Sequence, residues 1–317
     1  MTVSIITPVY NAQDRLPRCL EALAAQTYED LQIVLVDDGS TDGTPRLCDN
    51  AARADERIVV IHQENAGPPA ARNAGLDAAG GRWVMFVDAD DYIEPDYVQV
   101  LVGVAEEREA DLVVSDCLMV EGGQARRFGH VIADKVYESR DALYEDFLAE
   151  RMPWSLWGKL YDARLFEGVR FDPCDYIAED LDVNARIFAR EGLRVATTAC
   201  TGYHYSVEEG SVDHSFTKRH LCQFDVFERV VRLVHEQGIS TTTSVESFYG
   251  ERVLGCLRKA LDAHALTPEI ASAFKDALSV HRNEVLTDPA ASASLKRRLR
   301  VASLGPRIFG VFHRICS

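Results

Sequence analysis

Long apolar runs are missing from this sequence. No stretch approaches the roughly eighteen continuous apolar residues of a membrane-spanning helix, so a soluble or peripheral protein is expected. Basic residues are also scarce: 34 Lys and Arg stand against 50 Asp and Glu, a formal net charge of −16. Phosphate backbones are held by clustered Lys and Arg, so nucleic acid is excluded as the main partner. Paired cysteines are lacking. The thiols of Cys19, Cys48, Cys117, Cys174, Cys200, Cys222, Cys256 and Cys316 are scattered, with no Cys-x-x-Cys spacing and no secretory leader ahead of them. They read as reduced cytosolic thiols that mostly pack. Internal repeats and low-complexity linkers are absent as well.

What is present centres on Arg82 to Tyr92, Arg-Trp-Val-Met-Phe-Val-Asp-Ala-Asp-Asp-Tyr. An apolar run of strand length ends at Asp88, Asp90 and Asp91, which no buried strand carries unpaired, so they belong at a strand's carboxyl end. Carboxylates spaced Asp-x-Asp present oxygens to a hard divalent cation, and a metal-bridged phosphate ligand follows. The plain alternative is a solvated acidic turn.

Upstream, Val3 to Pro8 and Leu31 to Val36 read as strands, each running into polar residues: Tyr10 and Asn11 after the first, Asp37 to Thr44 after the second. A third strand at Ile58 to Ile61 precedes Gly67-Pro68-Pro69 and a helix from Ala70 to Ala79. Pro95 to Glu109 reads as a helix and Leu112 to Ser115 as a strand. Alternation of this kind implies an α/β fold with a parallel sheet of right-handed βαβ units, and it brings the polar clusters to one sheet edge. Further on, Trp154 to Phe166 reads as a helix, Glu179-Asp180 leads into an amphipathic helix, and Leu193 to Tyr205 suggests a strand pair. Beyond Thr217 the periodicity is helical: Phe224, Phe227, Val231 and Val234 form one stripe, and Val253, Leu257 and Leu261 another. Residues 1–216 are therefore expected to form one α/β domain and 217–317 a helical C-terminal region.

The segments Ser4-Ile-Ile-Thr-Pro-Val-Tyr-Asn11, Val36 to Thr44, Ala70-Ala-Arg-Asn-Ala-Gly75, Phe86-Val-Asp-Ala-Asp-Asp91 and Glu179-Asp180 follow one another in order. Together they resemble the successive motifs of family 2 inverting glycosyltransferases, over roughly the first 210 residues. The resemblance implies a GT-A fold, a Rossmann-like and mostly parallel sheet flanked by helices, with the helical extension added at the C-terminus. It implies a UDP-sugar donor, a glycan or lipid-linked glycan acceptor, Mn²⁺ or Mg²⁺ as cofactor, and bacterial surface-polysaccharide assembly as the setting. Thr7, Pro8, Tyr10, Asp37, Asp38, Arg72, Asn73, Asp88 and Ala89 fall at nucleotide-binding positions. Asp38 is matched to the base, Asp37 to the ribose, and Tyr10 to stacking on the base. The metal falls to Asp88 and Asp90, with His214 as a third ligand; Asp91 positions its neighbours. Asp180 matches the general base and Glu179 is the alternate, while Trp154, Trp157 and Lys159 resemble an acceptor-side segment. A departure lies at Ser206 and Glu208, where relatives often carry arginines before Glu-Gly-Ser; His214, Lys218 and Arg219 are the candidate replacements.

Each site residue also has an ordinary structural role to weigh: an Asx turn for Asp37, a surface ion pair for Arg72, a helix N-terminal acid for Asp180, core packing for the tryptophans. Two rival functions remain. An aspartate-nucleophile phosphotransferase also ends a strand in Asp-x-Asp, but normally its first strand. A nucleotide-sugar-binding protein without catalysis would keep Asp-x-Asp and have no use for Asp180. A dinucleotide dehydrogenase fails because strand one leads into Pro-Val-Tyr-Asn, with no Gly-x-Gly-x-x-Gly.

The C-terminus reverses the charge of the chain. From Pro289 onward there are six Lys or Arg and no acid, which leaves −22 on residues 1–288. Basic residues interleaved with Leu295, Leu299, Ile308, Phe309, Phe312 and Ile315 suit either a segment lying on an anionic membrane or a terminal helix packed on the acidic domain. The expected location is cytoplasmic, with a peripheral place on the cytoplasmic membrane face under the first reading.

Overall fold

The computed structural model describes residues 1–127, 133–175, 177–207 and 216–316. Strands and helices alternate through β1 (Val3–Val9), α1 (Leu16–Ala24), β2 (Leu31–Asp37), α2 (Thr44–Ala54), β3 (Ile58–His62), α3 (Pro68–Ala78) and β4 (Trp83–Phe86). Then come β5 (Tyr92–Ile93), α4 (Tyr97–Glu107), β6 (Leu112–Glu121), β7 (Gln124–Arg127), β8 (Lys135–Tyr137), α5 (Arg140–Leu148), β9 (Lys159–Asp162), α6 (Glu179–Phe188) and β10 (Val195–Val207). The rest is helical: α7 (Cys222–Glu236), α8 (Val245–Asp262), α9 (Pro268–Val280), α10 (Arg282–Thr287), α11 (Ala293–Ala302) and α12 (Pro306–Cys316).

One sheet organises these elements in the order β3-β2-β1-β4-β9-β6-β10-β5, with β7 on β6 and β8 on β10. It is parallel from β3 through β4 and mixed beyond, because β9 runs antiparallel to both β4 and β6. Both faces are covered, which is why β1, β2 and β4 read as nearly continuous apolar runs rather than as alternations. Ile6, Val34, Val84 and Phe86 point into a core shared with α6 to α9, α11 and α12; Ile5, Leu35 and Met85 point to the opposite face, against α1 and α4. Phe86 meets Tyr161, Phe166 and Phe171 edge-on, with ring centroids 5.8 to 6.2 Å apart.

Two readings of the sequence are corrected here. Trp154 to Phe166 is not a helix: Lys159–Asp162 is a strand and Ala163–Phe166 a 3-10 turn. Pairing of Trp83 with Asp162 and of Leu112 with Tyr161 gives this short segment ladder partners on both sides, and Gly158 at φ 74° turns the chain into it. Likewise Leu193 to Tyr205 does not form a strand pair. From Val195 onward it lies in one strand whose register against β6 shifts between Thr198 and Tyr203, so a bulge replaces the hairpin.

Helix α3 carries the first site residues and packs closely on β1. A Cβ added at Gly75 would lie 2.3 Å from Cγ2 of Ile6, which is fully buried. Gly75→Ala is expected to destabilise the protein by about 1–3 kcal/mol through overpacking, against a helix-propensity gain of under about 1 kcal/mol. Gly103→Ala in α4, where nothing lies within 4 Å of the new methyl, should instead stabilise slightly. Urea unfolding of the two variants checks the contrast.

Candidate active site

The carboxyl ends of β1, β2 and β4 open into a cavity of about 890 Å³. Pro8, Tyr10, Asp38, Arg72, Asp88, Ala89 and Asp90 all line it, so residues 82 positions apart in the sequence share one wall. The other side is built from Ile177 and from Thr217 to His220, which lie in and before a 3-10 turn. Lys218 and Arg219 thus reach the cavity, joined by Arg15, which the sequence reading had not singled out.

Asp38 is buried and well held. Its Oδ1 accepts from Gln63 Nε2 (2.6 Å) and the Ala66 N–H (2.9 Å), and its Oδ2 from the Gly67 N–H (2.8 Å). Gly67 aims that N–H from φ 89°, a conformation that costs glycine nothing, and Pro68 and Pro69 then start α3. A carboxylate has about four acceptor positions, so one remains on Oδ2. Asp37, by contrast, turns away. It accepts from the Ser40 N–H (3.1 Å) and pairs with His62 Nδ1 (2.7 Å), and that contact raises the His62 pKa. Asp37, expected at the ribose, is buried and does not line the cavity; its two oxygens face Ser40 and His62. Thr7 is wholly buried in β1 rather than facing the cavity. Tyr10 is 53% exposed at the rim, open to a planar ligand.

Arg72 is the junction of the site. Its Nη1 donates to Glu179 Oε1 at 2.5 Å and its Nη2 lies 3.5 Å from Asp88 Oδ1. Asn73 does not touch the cavity. Its amide nitrogen donates to the Phe171 carbonyl (2.8 Å) and its oxygen accepts the Phe171 N–H (3.0 Å), which pins the segment leading to α6.

Asp88 and Asp90 face the cavity, whereas Asp91 is fully buried behind them. Its oxygens accept from the Tyr203 hydroxyl (2.6 Å) and the Ser206 N–H (2.8 Å). Burial first, then the neighbouring Asp88 and Asp90, push its carboxyl well above the ordinary range. Arg18, also unforeseen from the sequence, donates to the Asp90 carbonyl (2.8 Å) and to Ser206 Oγ (2.5 Å) and stacks on Tyr92. Among the described residues no three His, Cys, Asp or Glu side chains form a metal cluster by themselves. Two cavity-facing carboxylates do fit a cation that also takes substrate phosphate oxygens and water. His214 lies outside the described residues.

A second cavity, of about 690 Å³, adjoins the first, with Ile177 lining both. Asp180 and Trp154 line this one. The residue before Glu179-Asp180, Ala178, sits at φ 70°, a strained left-handed setting for a residue with a Cβ. Burial, and then Glu179, raise the Asp180 pKa to about 7, opposed by the Leu181 N–H, Arg72 and Lys159. Trp157 and Lys159, expected on the acceptor side, line neither of these two cavities. Trp157 stacks on Tyr203 and on Tyr205, each at 5.3 Å. Lys159 is fully buried; its ammonium donates to the carbonyls of Pro153 (2.9 Å) and Ser155, and burial lowers its pKa to about 7. Both hold the loop that presents Trp154. The α8 side of the cavity was missed because the Val253, Leu257 and Leu261 stripe drew attention to the helix's opposite, buried face.

A family model described as glycosyl transferase family 2 matches residues 4–177. Glycosyltransferase GlyA of Streptococcus pneumoniae serotype 4 is 36% identical over 225 residues, a match covering 68% of this chain and 32% of that protein. A putative glycosyltransferase, EpsH of Bacillus subtilis, is 32% identical over 224 residues, covering 68% of this chain and 64% of its own length. The chain thus spans between about a third and just under two thirds of these relatives. The crystal structure of S. aureus TarS in complex with UDP superposes with a TM-score of 0.75 at 20% identity, over 100% of this chain and 92% of that one, which shows the fold.

Arg72→Met would leave Glu179 without its guanidinium partner and Asp88 facing two other carboxylates. A loss on the order of 3 kcal/mol in unfolding free energy is expected, because breaking a largely buried pair strands the remaining charge. Urea unfolding at neutral pH measures it; a loss no larger than that of an exposed pair would show that Arg72 bears no such load.

Proposed function

The chain belongs to glycosyl transferase family 2, and from that premise we propose that it transfers a sugar from a UDP-sugar to a hydroxyl of a glycan or lipid-linked glycan, with inversion. The observation that carries the reading is the pair of adjoining cavities that meet at Ile177, the first bearing Asp38, Arg72, Asp88 and Asp90 and the second Asp180. An inverting displacement needs this division, with nucleotide on one side of the anomeric carbon and acceptor with base on the other.

In the first cavity Tyr10 offers a ring face to uracil, and the remaining acceptor position on Asp38 Oδ2 meets the base N3–H. The UDP bound by S. aureus TarS supports uracil as the base. Asp88 and Asp90 hold Mn²⁺ or Mg²⁺, which when bound supplies Lewis-acid stabilisation of the departing diphosphate. Arg15, Lys218 and Arg219 add positive charge to the same cavity. Asp180 takes the proton of the acceptor hydroxyl. Glu179 is less suited to that task because Arg72 holds its carboxylate as an ion pair.

No helix among the described residues is long and apolar enough to cross a membrane. Contact with a lipid-linked acceptor falls instead to the C-terminus. Leu295, Leu299, Ala302 and Phe309 pack inward, while Leu304, Ile308 and Val311 stay 70%, 50% and 62% exposed beside the exposed Arg297, Arg300 and Arg307. The tail therefore packs on the protein with one face and offers a basic, apolar face to an anionic membrane surface on the cytoplasmic side, in the assembly of a bacterial surface polysaccharide.

Asp180→Asn is expected to lose at least about a hundredfold in turnover while UDP binding barely changes, and Asp90→Asn to lose metal-dependent UDP binding as well. Transfer assays and UDP calorimetry with Mn²⁺ separate the two. In the wild type, kcat/KM should rise with pH through about 7 and level off above, because the base works only when ionised. Near-normal transfer by Asp180→Asn would move the base to Glu179, and absent transfer with intact UDP binding in the wild type would leave a binding protein. For the tail, serine at Leu304, Ile308 and Val311 together should release the protein from anionic vesicles in co-sedimentation without unfolding it; unchanged recovery would remove the membrane contact.

A further inference from the structure

The wall of the Asp180 cavity that faces away from the nucleotide is one face of α8. Arg252, Gly255, Cys256 and Lys259 recur at i, i+3, i+4 and i+7, which places them on one side of the helix, and Arg258 borders the same space. In a chain of net charge −16, the described residues of this cavity include three cations, with Asp262 the one acid among them besides Asp180. Neutral sugar hydroxyls do not call for such a set. Guanidinium and ammonium groups grouped around a cavity suit an oxyanion, which accepts charge-assisted hydrogen bonds from them. The Arg252 guanidinium is oriented before any ligand arrives, stacked 4.8 Å from the centre of the Trp154 ring and paired with Glu150.

Gly255 points the same way. It lies in the interior of an 18-residue helix, where glycine costs about 0.5–1 kcal/mol relative to alanine. No packing demands it, since an added Cβ would meet nothing within 4 Å. The space it leaves opens into the cavity beside Arg258 and Lys259.

We propose that this cavity selects an anionic acceptor, one whose phosphate ester or carboxylate rests on the Arg252, Arg258 and Lys259 wall while the hydroxyl to be glycosylated reaches Asp180. The assignment rests on the transfer reading above and adds the chemical class of the acceptor to it. The protein, saturated with UDP and Mn²⁺ so that the diphosphate site is filled, is titrated calorimetrically with glycerol 1-phosphate against glycerol and with methyl glucuronide against methyl glucoside. At least one anionic probe should bind about tenfold or more tightly than its neutral counterpart, and the pair that discriminates tells phosphate from carboxylate. The preference should shrink between about 0.05 M and about 0.5 M salt. Arg258→Ala with Lys259→Ala should abolish it, and Gly255→Phe should block both kinds of probe, with UDP affinity unchanged in each variant. Equal binding of charged and neutral probes, or a preference that survives the double substitution, overturns the proposal while UDP binding still stands. Absent UDP binding in the wild type overturns the donor reading and this one together.

Discussion

A single guanidinium connects the two halves of the site. Arg72, in the second turn of α3, lies between Asp88 at the end of β4 and Glu179 at the start of α6, with Phe171 beneath it at 5.8 Å. Removing a cation from water is costly, so the group is stable there only while both carboxylates compensate it. That requirement fixes the distance between the Asp-x-Asp turn and the Glu179-Asp180 helix. Asn73, the next residue, brackets the Phe171 backbone and so fixes the chain that leads to Ile177. The wall shared by the two cavities is therefore held from α3, whose own place is set by the contact of Gly75 with Ile6.

The carboxylates of the Asp-x-Asp turn would repel one another if left to themselves. Only Asp88 and Asp90 face the cavity; Asp91 is turned inward, where the Tyr203 hydroxyl and the Ser206 N–H receive it. Tyr203 is in turn stacked on Trp157. A residue that looked like an acceptor contact thus supports the turn from behind, and Arg18 closes the same region from α1. Lys159 acts similarly, binding the Pro153 and Ser155 carbonyls while Asn184 Nδ2 donates to the Trp154 carbonyl (2.6 Å). Buried polar groups of this kind are stable only when each finds a partner, which makes the loop before β9 rigid and holds Trp154 at the second cavity.

The C-terminal helices are part of the same construction. Their apolar faces complete the core under β1, β2 and β4, with Phe248 meeting both Trp154 and Phe227. Because α8 is anchored there, its other face is free to form a cavity wall. The tail is anchored in the same way, with Gly310 close against Leu261 of α8 and Phe309 buried, which leaves Leu304, Ile308 and Val311 outward.

The sequence by itself determined the α/β class, the parallel half of the sheet and the edge on which the polar clusters gather. These follow from local information: an apolar run of strand length that stops at a carboxylate has few other ways to fold. It also marked Tyr10, Asp38, Arg72, Asp88 and Asp90, all of which reach one cavity. Only the tertiary structure decided which polar side chain turns outward and which inward. Asp37 and Asp38 are adjacent in sequence, yet one is taken up by His62 and Ser40 and the other faces the cavity, because strand geometry sends neighbouring side chains to opposite sides. The packing of Trp157 on Tyr203 and of Lys159 on backbone carbonyls was not legible for a similar reason, since an aromatic ring or an ammonium looks alike in sequence whether it meets a ligand or the protein's own interior. The strand at Lys159–Asp162 was invisible as well: its ladder partners lie about fifty and eighty residues away, and no local pattern records them. The cations of α8 were legible as residues but not as a site, because a cavity exists only once distant segments have closed around it.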